Sequence, residues 1–212
     1  MLRDREDAAR QLAQRLAHLR GQAPLVLAVP RGGVPMGRIV ADELGGELDV
    51  VLVHKLGAPG NPEYAIGAID EDGAVELRSG KSLDADPALR AEAARQLERL
   101  RERRARYSPI RPPIDPADRT VIVVDDGAAT GATLLAALRL VRAKAPARLV
   151  VAVGVAPSDT VARLEREVDE VVCLEAPVDF GAVGQFFQRF DQVEDEQVVE
   201  LLGQGPAEDD AT

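Results

Sequence analysis

Val121-Ile122-Val123-Val124-Asp125-Asp126-Gly127-Ala128-Ala129-Thr130-Gly131-Ala132-Thr133 is the stretch that decides how this chain folds. Its first four residues are β-branched and apolar with no alternation, the pattern of a strand buried on both faces. Two carboxylates stand at the carboxyl end of that strand. A loop of Gly, Ala and Thr then runs straight into a helix expected over about 131–145. In open sheets of parallel strands, ligands bind just outside the carboxyl ends of the strands. The free N–H groups of a helix start, with the hydroxyls of Thr130 and Thr133, suit a phosphate monoester. Small residues let the main chain approach that phosphate closely. Two acids above a phosphate nest conflict unless they bind neutral hydroxyls. A ribose 5′-phosphate resolves the conflict, with its phosphate in the loop and its 2′- and 3′-hydroxyls on Asp125 and Asp126.

Other phosphate-binding loops fit less well. A Walker-type loop needs Gly-x-x-x-x-Gly-Lys-Ser/Thr, and this loop has no Lys. A dinucleotide fold needs Gly-x-Gly-x-x-Gly after a strand, and none occurs. A phospho-accepting receiver domain also starts on an apolar strand with paired Asp, but here the pair follows residue 120, leaving 92 residues for the whole domain. The bland alternative is a strand end carrying fortuitous acids.

Upstream, residues 3–20 read as an amphipathic helix with Leu12, Leu16 and Leu19 on one side, stopped by Gly21. Leu25–Val29 reads as a short strand and Pro30-Arg31-Gly32-Gly33 as a tight loop. Pro35 suits the first turn of a helix that runs to Gly45-Gly46. Asp49–His54 reads as a second apolar strand, giving parallel strands joined by a right-handed crossover. Residues 57–63 hold two Gly and two Pro and are expected to be irregular. Ala65–Ile69 and Ala74–Leu77 read as a hairpin, followed by a long helix over roughly 86–105. Downstream, Leu149–Val155, a helix near 158–167 and Val168–Leu174 complete the alternation. The expected fold class is α/β, a parallel sheet flanked by helices on both faces. It is expected to form a single domain over 1–202, with a hairpin/helix excursion at 57–111 and a C-terminal segment at 175–190, which the resemblance described below makes a small hood.

The stretch 121–133 resembles the PRPP-binding motif of type I phosphoribosyltransferases: four apolar residues, two acids, then a Thr-Gly-x-Thr loop. Arg31-Gly32-Gly33-Val34-Pro35-Met36-Gly37, with Ala41 and Leu44-Gly45 behind it, is similar to the pyrophosphate loop and following helix of bacterial xanthine-type enzymes. The resemblance covers about residues 25–174. It implies transfer of a phosphoribosyl group from PRPP to a nitrogenous acceptor, usually a nucleobase, with release of pyrophosphate. By that resemblance Asp125 and Asp126 bind the ribose hydroxyls, directly or through Mg²⁺ and its waters. Gly127, Ala128, Ala129, Thr130, Gly131, Ala132 and Thr133 form the rest of the PRPP site, and residues 128–133 hold the 5′-phosphate. Arg31, Gly32 and Gly33 bind pyrophosphate, for which the fork of an Arg is suited. Lys55 is a candidate second pyrophosphate contact, set against a solvated strand end. Mg²⁺ is expected to be held mainly by PRPP and water.

Further expectations follow from the same likeness. Hypoxanthine-guanine enzymes carry an Asp where this chain has Ala129, which counts against that subtype; adenine and uracil enzymes have Ala there. The segment Pro177–Phe187 has the location of a hood that stacks on the acceptor ring. Val178, Phe180, Phe186 and Phe187 are its candidate flanks, with Phe190 expected in the core. Tyr64 is expected to face the same cavity, and Glu63 and Asp179 are the candidate general bases. Dimers are common in this family, so a homodimer is expected. The alternative is a non-catalytic PRPP-sensing protein of the same fold that binds RNA or a protein partner.

Composition bounds the rest. The chain has 212 residues, 46% hydrophobic, enough for a sizeable core. Its net charge of −10 is uneven: Asp191–Thr212 holds eight acids and no Lys or Arg, whereas residues 90–111 hold eight Arg against three Glu. The basic segment reads first as a solvated helix of mixed charge, so nucleic acid is not an expected partner. The end from Gly203 onward reads as a frayed acidic tail. A single cysteine, Cys173, excludes an internal disulfide, and no Cys/His set has zinc spacing. No secretory signal and no apolar run of membrane length is present, so the chain reads as soluble and cytoplasmic.

Overall fold

The computed structural model describes residues 1–58, 61–77, 83 and 86–204, with the backbone alone for 61–65. A five-stranded sheet forms its centre, built from β1 (Leu25–Ala28), β2 (Glu47–Val50), β6 (Thr120–Gly127), β7 (Arg148–Val155) and β8 (Glu170–Glu175). The strands are all parallel, in the order β2-β1-β6-β7-β8. Their side chains alternate between two cores. Val26, Ala28, Ile122, Val124, Val150 and Ala152 meet helices α1 (Arg5–Arg15) and α2 (Gly33–Leu44) on one face. Leu25, Leu27, Val121, Val123, Leu149 and Val151 meet α4 (Ala132–Ala143) on the other, joined by Leu164 of α5 (Ser158–Leu164). Apolar residues on both faces are what give these strands their unbroken hydrophobic runs.

The excursion is a second sheet. Strands β3 (Val53–Ala58), β4 (Asn61–Asp70) and β5 (Val75–Leu77) pair antiparallel in that order and pack against α3 (Pro87–Tyr107) and α4. The expected hairpin is its β4–β5 half, with the Asp70 carboxylate accepting from the N–H groups of Asp72 and Ala74 across the turn. Helix α3 begins where Asp86 accepts from the Ala88 and Leu89 N–H groups ahead of Pro87.

Three expectations are corrected. The apolar run Asp49–His54 is not one strand: β2 ends at Val50, and the chain leaves the parallel sheet before β3 begins at Val53. The buried Asp49 fixes that exit, because its carboxylate accepts from Arg104, the Val50 N–H and the Ile114 N–H. The Gly- and Pro-rich stretch 57–63 carries strand backbone up to Ala58 and again from Asn61, with register shifts on either side of Gly57 absorbing the irregularity. The N-terminal helix stops at Arg15 and continues as a 3₁₀ turn, Ala17–Leu19.

One element was not anticipated. Asp195–Gly203 is a helix, α6, within the acidic stretch, and its Val198 and Leu202 are buried against α2 and α3. The acidic tail from residue 205 lies outside the described residues. Among the described residues no helix is long and apolar enough to cross a membrane.

Candidate functional site

Strand order reverses between β1 and β6: the chain moves outward to β2 from one and to β7 and β8 from the other. The crevice over the carboxyl ends of those two neighbours is where such sheets bind ligands. Here it is an open groove of about 430 Å³, lined by Val29–Gly32, Asp125–Leu134 and Val183. The two motifs singled out by sequence thus face each other across one cavity. The loop between β6 and α4 turns through Gly131 in the left-handed region, φ 64°, where a side chain would be strained. The loop is propped from α5: Thr160 Oγ1 donates to the Ala129 carbonyl at 3.2 Å, and Arg163 donates to the Thr130 carbonyl at 3.0 Å. Ala132, Thr133 and Leu134, the first turn of α4, line the groove, and the Ala132 N–H donates to Thr130 Oγ1 at 3.4 Å.

Asp125 and Asp126 close the β6 side. The Asp126 N–H donates to Asp125 Oδ1 at 2.9 Å. Burial, then the neighbouring Asp126 charge, pushes the Asp125 carboxyl well above the usual carboxylate range. Burial raises Asp126 too, opposed by Arg5. Arg5, in the first turn of α1, reaches Asp126 Oδ2 with Nε at 2.9 Å and Nη2 at 2.8 Å. Sequence reading missed Arg5, yet it carries a local signal. A cation in the first turn of a helix opposes the helix dipole and so points to a partner elsewhere.

On the β1 side, Arg31 and Gly32 line the groove, while Gly33 lies behind it at the start of α2. Arg31 Nη1 reaches Glu194 Oε2 at 3.2 Å. Lys55 does not join them. It sits on β3 paired with Ala68, its side chain exposed and outside the groove lining, because β3 belongs to the second sheet.

The phenylalanines divide. Phe180 lines a hollow beside the β6–α4 loop, shared with Ala129, Thr130, Val178 and Arg163. Phe186 stacks on Phe180 with ring centroids 5.1 Å apart, and Val178 is 91% exposed. Phe187 is corrected from an acceptor flank to a core residue: it is buried among the side chains over the sheet, and Leu2 bridges to its backbone. Phe190 is corrected the other way. It is partly exposed, and the Arg5 guanidinium lies 3.9 Å from its ring centroid. Asp179 is exposed and lines neither hollow, and the side chains of Glu63 and Tyr64 lie outside the described residues.

The phosphoribosyl transferase domain family model matches residues 2–186. The chain belongs to that family. Two relatives of this phosphoribosyl transferase domain come from Mycobacterium tuberculosis strains CDC 1551 and H37Rv, the latter named "Putative phosphoribosyl transferase Rv0571c". Each is 48% identical over 203 residues, covering 94% of this chain and 46% of the relative. The chain therefore spans about half the length of the curated relatives it matches. The crystal structure of TT1426 from Thermus thermophilus is 48% identical, with a TM-score of 0.86 over 95% of this chain and 97% of that one. The parallel sheet and the appended antiparallel sheet are thus the architecture of a phosphoribosyl transferase domain.

Proposed function

We propose that the groove binds PRPP and that the protein transfers its phosphoribosyl group to a nitrogenous acceptor with release of pyrophosphate. One observation carries the reading: the acid pair, the small-residue loop and the Arg31-Gly32 loop line a single cavity at the point where strand order reverses. The 5′-phosphate takes the start of α4, with residues 128–133 around it. The ribose diol faces Asp125 and Asp126, and the diphosphate faces Arg31 and Gly32. A flat acceptor lies in the adjoining hollow against Val178 and Phe180, with Phe186 stacked behind.

The donor set fits Mg²⁺ bound in part by the substrate. Asp125 and Asp126 offer hard oxygen ligands, and a cation would offset the burial and the neighbouring Asp126 charge that raise Asp125. Among the described residues no cluster of three or more His, Cys, Asp or Glu forms a cage, so Asp125 and Asp126 would hold the ion together with water and phosphate oxygens. When bound, the ion neutralises charge on the leaving diphosphate. The protein's own part is positioning: loop N–H groups hold the phosphate, the acids orient the diol, and Arg31 stabilises the departing charge.

The test is pyrophosphate release with PRPP, Mg²⁺ and a panel of nucleobases and amines, alongside titration calorimetry with PRPP. Release with one acceptor class is the expected result. An Asp125→Asn/Asp126→Asn variant should bind PRPP about 100-fold or more weakly, the scale of two lost charge-assisted hydrogen bonds. Unchanged binding removes the site assignment. Binding without release across the whole panel leaves the non-catalytic sensor.

A further inference from the structure

Beside the groove lies a second open hollow that shares Arg31, Gly32, Asp126 and Val183 with it and extends to Phe190 and Val193. Arg5 stands at its wall, tied to both sides of it. Two of its nitrogens meet Asp126 Oδ2, Nη1 donates to the Asp191 carbonyl at 2.6 Å, and its face lies on Phe190. The arginine and Asp126 are each nearly buried, with side chains 14% and 13% exposed. A Cβ on Gly32 would collide with the Asp126 carboxylate and lie 3.3 Å from Arg5 Nη2. The backbone of the Arg31-Gly32 loop therefore rests directly on this ion pair.

The base of Arg5 is equally fixed. Asp4 caps α1 by accepting from the Asp7 N–H at 2.9 Å and is itself paired with Arg189. The chain just before it is stitched to the segment beside the groove, with Leu2 N–H donating to the Phe186 carbonyl and Arg189 N–H to the Arg3 carbonyl. Ala8, Ala9 and Leu12 anchor the helix in the core.

We propose that Arg5 is a positioning residue: it holds the Asp126 carboxylate against Gly32, so that the diol-binding and diphosphate-binding sides of the groove form one preorganised unit. Asp126 is thereby the fixed acid of the pair, whereas no described cation bonds Asp125. The inference rests on the PRPP reading of the groove. It assigns Arg5 no direct contact with ligand: its bonds run to Asp126 and the Asp191 carbonyl.

Titration calorimetry of the full chain, with Mg²⁺ present, compares wild type, Arg5→Met and Arg5→Lys against PRPP, ribose 5-phosphate and inorganic pyrophosphate. Met keeps an apolar stem over Phe190 and removes the fork. Arg5→Met should weaken PRPP and ribose 5-phosphate, the two ligands with a diol, by about tenfold each, and pyrophosphate, which meets only the propped loop, by about threefold or less. Arg5→Lys, a point charge unable to span Asp126 and Asp191 together, should lose about threefold on the same two ligands. The Lys variant decides the matter if the Met variant does not fold. A loss shared by PRPP and pyrophosphate but absent for ribose 5-phosphate makes Arg5 a diphosphate ligand and overturns the proposal. Unchanged affinities with a lowered melting temperature also overturn it, leaving Arg5 to pack the helix only. Wild-type protein that binds neither PRPP nor ribose 5-phosphate refutes the groove reading first and this inference with it.

Discussion

Two carboxylates side by side at the end of a buried strand lose hydration and repel each other, and Asp125 bears more of that cost because Arg5 bonds only Asp126. Its carboxyl is raised above the ordinary 3.8, so the folded state holds a proton more firmly than the unfolded chain does. Stability is then greatest at acid pH from this group and falls as pH rises through the raised value. Asp125→Asn should melt at higher temperature than wild type near about pH 8, with the gain vanishing toward about pH 4, in thermal melts across pH. The same substitution should weaken PRPP binding, a stability cost held in place by function. The acid pair was legible in sequence because its position depends only on its own strand and loop. Arg5 was not, because 121 residues separate it from Asp126 and only the folded core brings them together.

Among the elements, the segment after β8 shows how one cluster of like residues divides by depth. Phe187 fills the core, so Phe187→Ala should cost about 3–5 kcal/mol in denaturant unfolding. Phe180 faces the hollow beside the β6–α4 loop, so Phe180→Ala should cost less than about 1 kcal/mol and instead raise KM for the proposed acceptor. Sequence reading placed Phe180, Phe186 and Phe187 against the acceptor and Phe190 in the core, and position in a short run does not say which ring turns inward. The strands and long helices of the parallel sheet were readable from their periodicity. Helix α6 was not, because Val198 and Leu202, four residues apart, are its only fully buried side chains within an acidic run. Asp49–His54 misled for a related reason: continuous apolarity marks burial but not the sheet to which a strand belongs.

At the scale of the whole molecule, Arg104 joins the two sheets. Its guanidinium bonds Asp49 at the edge of the parallel sheet and the Val50 carbonyl, and also Glu71 in the β4–β5 turn. Counted in sequence as one charge of a basic solvated face, it is buried, and with Arg111 bonded to the Leu48 carbonyl it leaves that face less basic than its composition suggests. Arg104→Met strands Asp49 and Glu71 without their partner and should cost about 3–5 kcal/mol. Hydrogen exchange should then rise first in β3–β5, whose attachment is lost, rather than in β6 and β7. Uniform exchange across both sheets would contradict the hinge-like role of that arginine.

The stitching of Leu2 to Phe186 and Gln188 has a consequence for the chain as it is made. Helix α1 is made before any strand of the domain, but the β7 and β8 surfaces it covers, and the backbone its leading residues pair with, are synthesised about 130–190 residues later. At about 5–20 residues per second, Leu12 and Leu16 wait on the order of ten seconds or more before that cover exists. Within this domain, the helix made before every strand therefore settles late, and the acid pair gains its arginine only when it does.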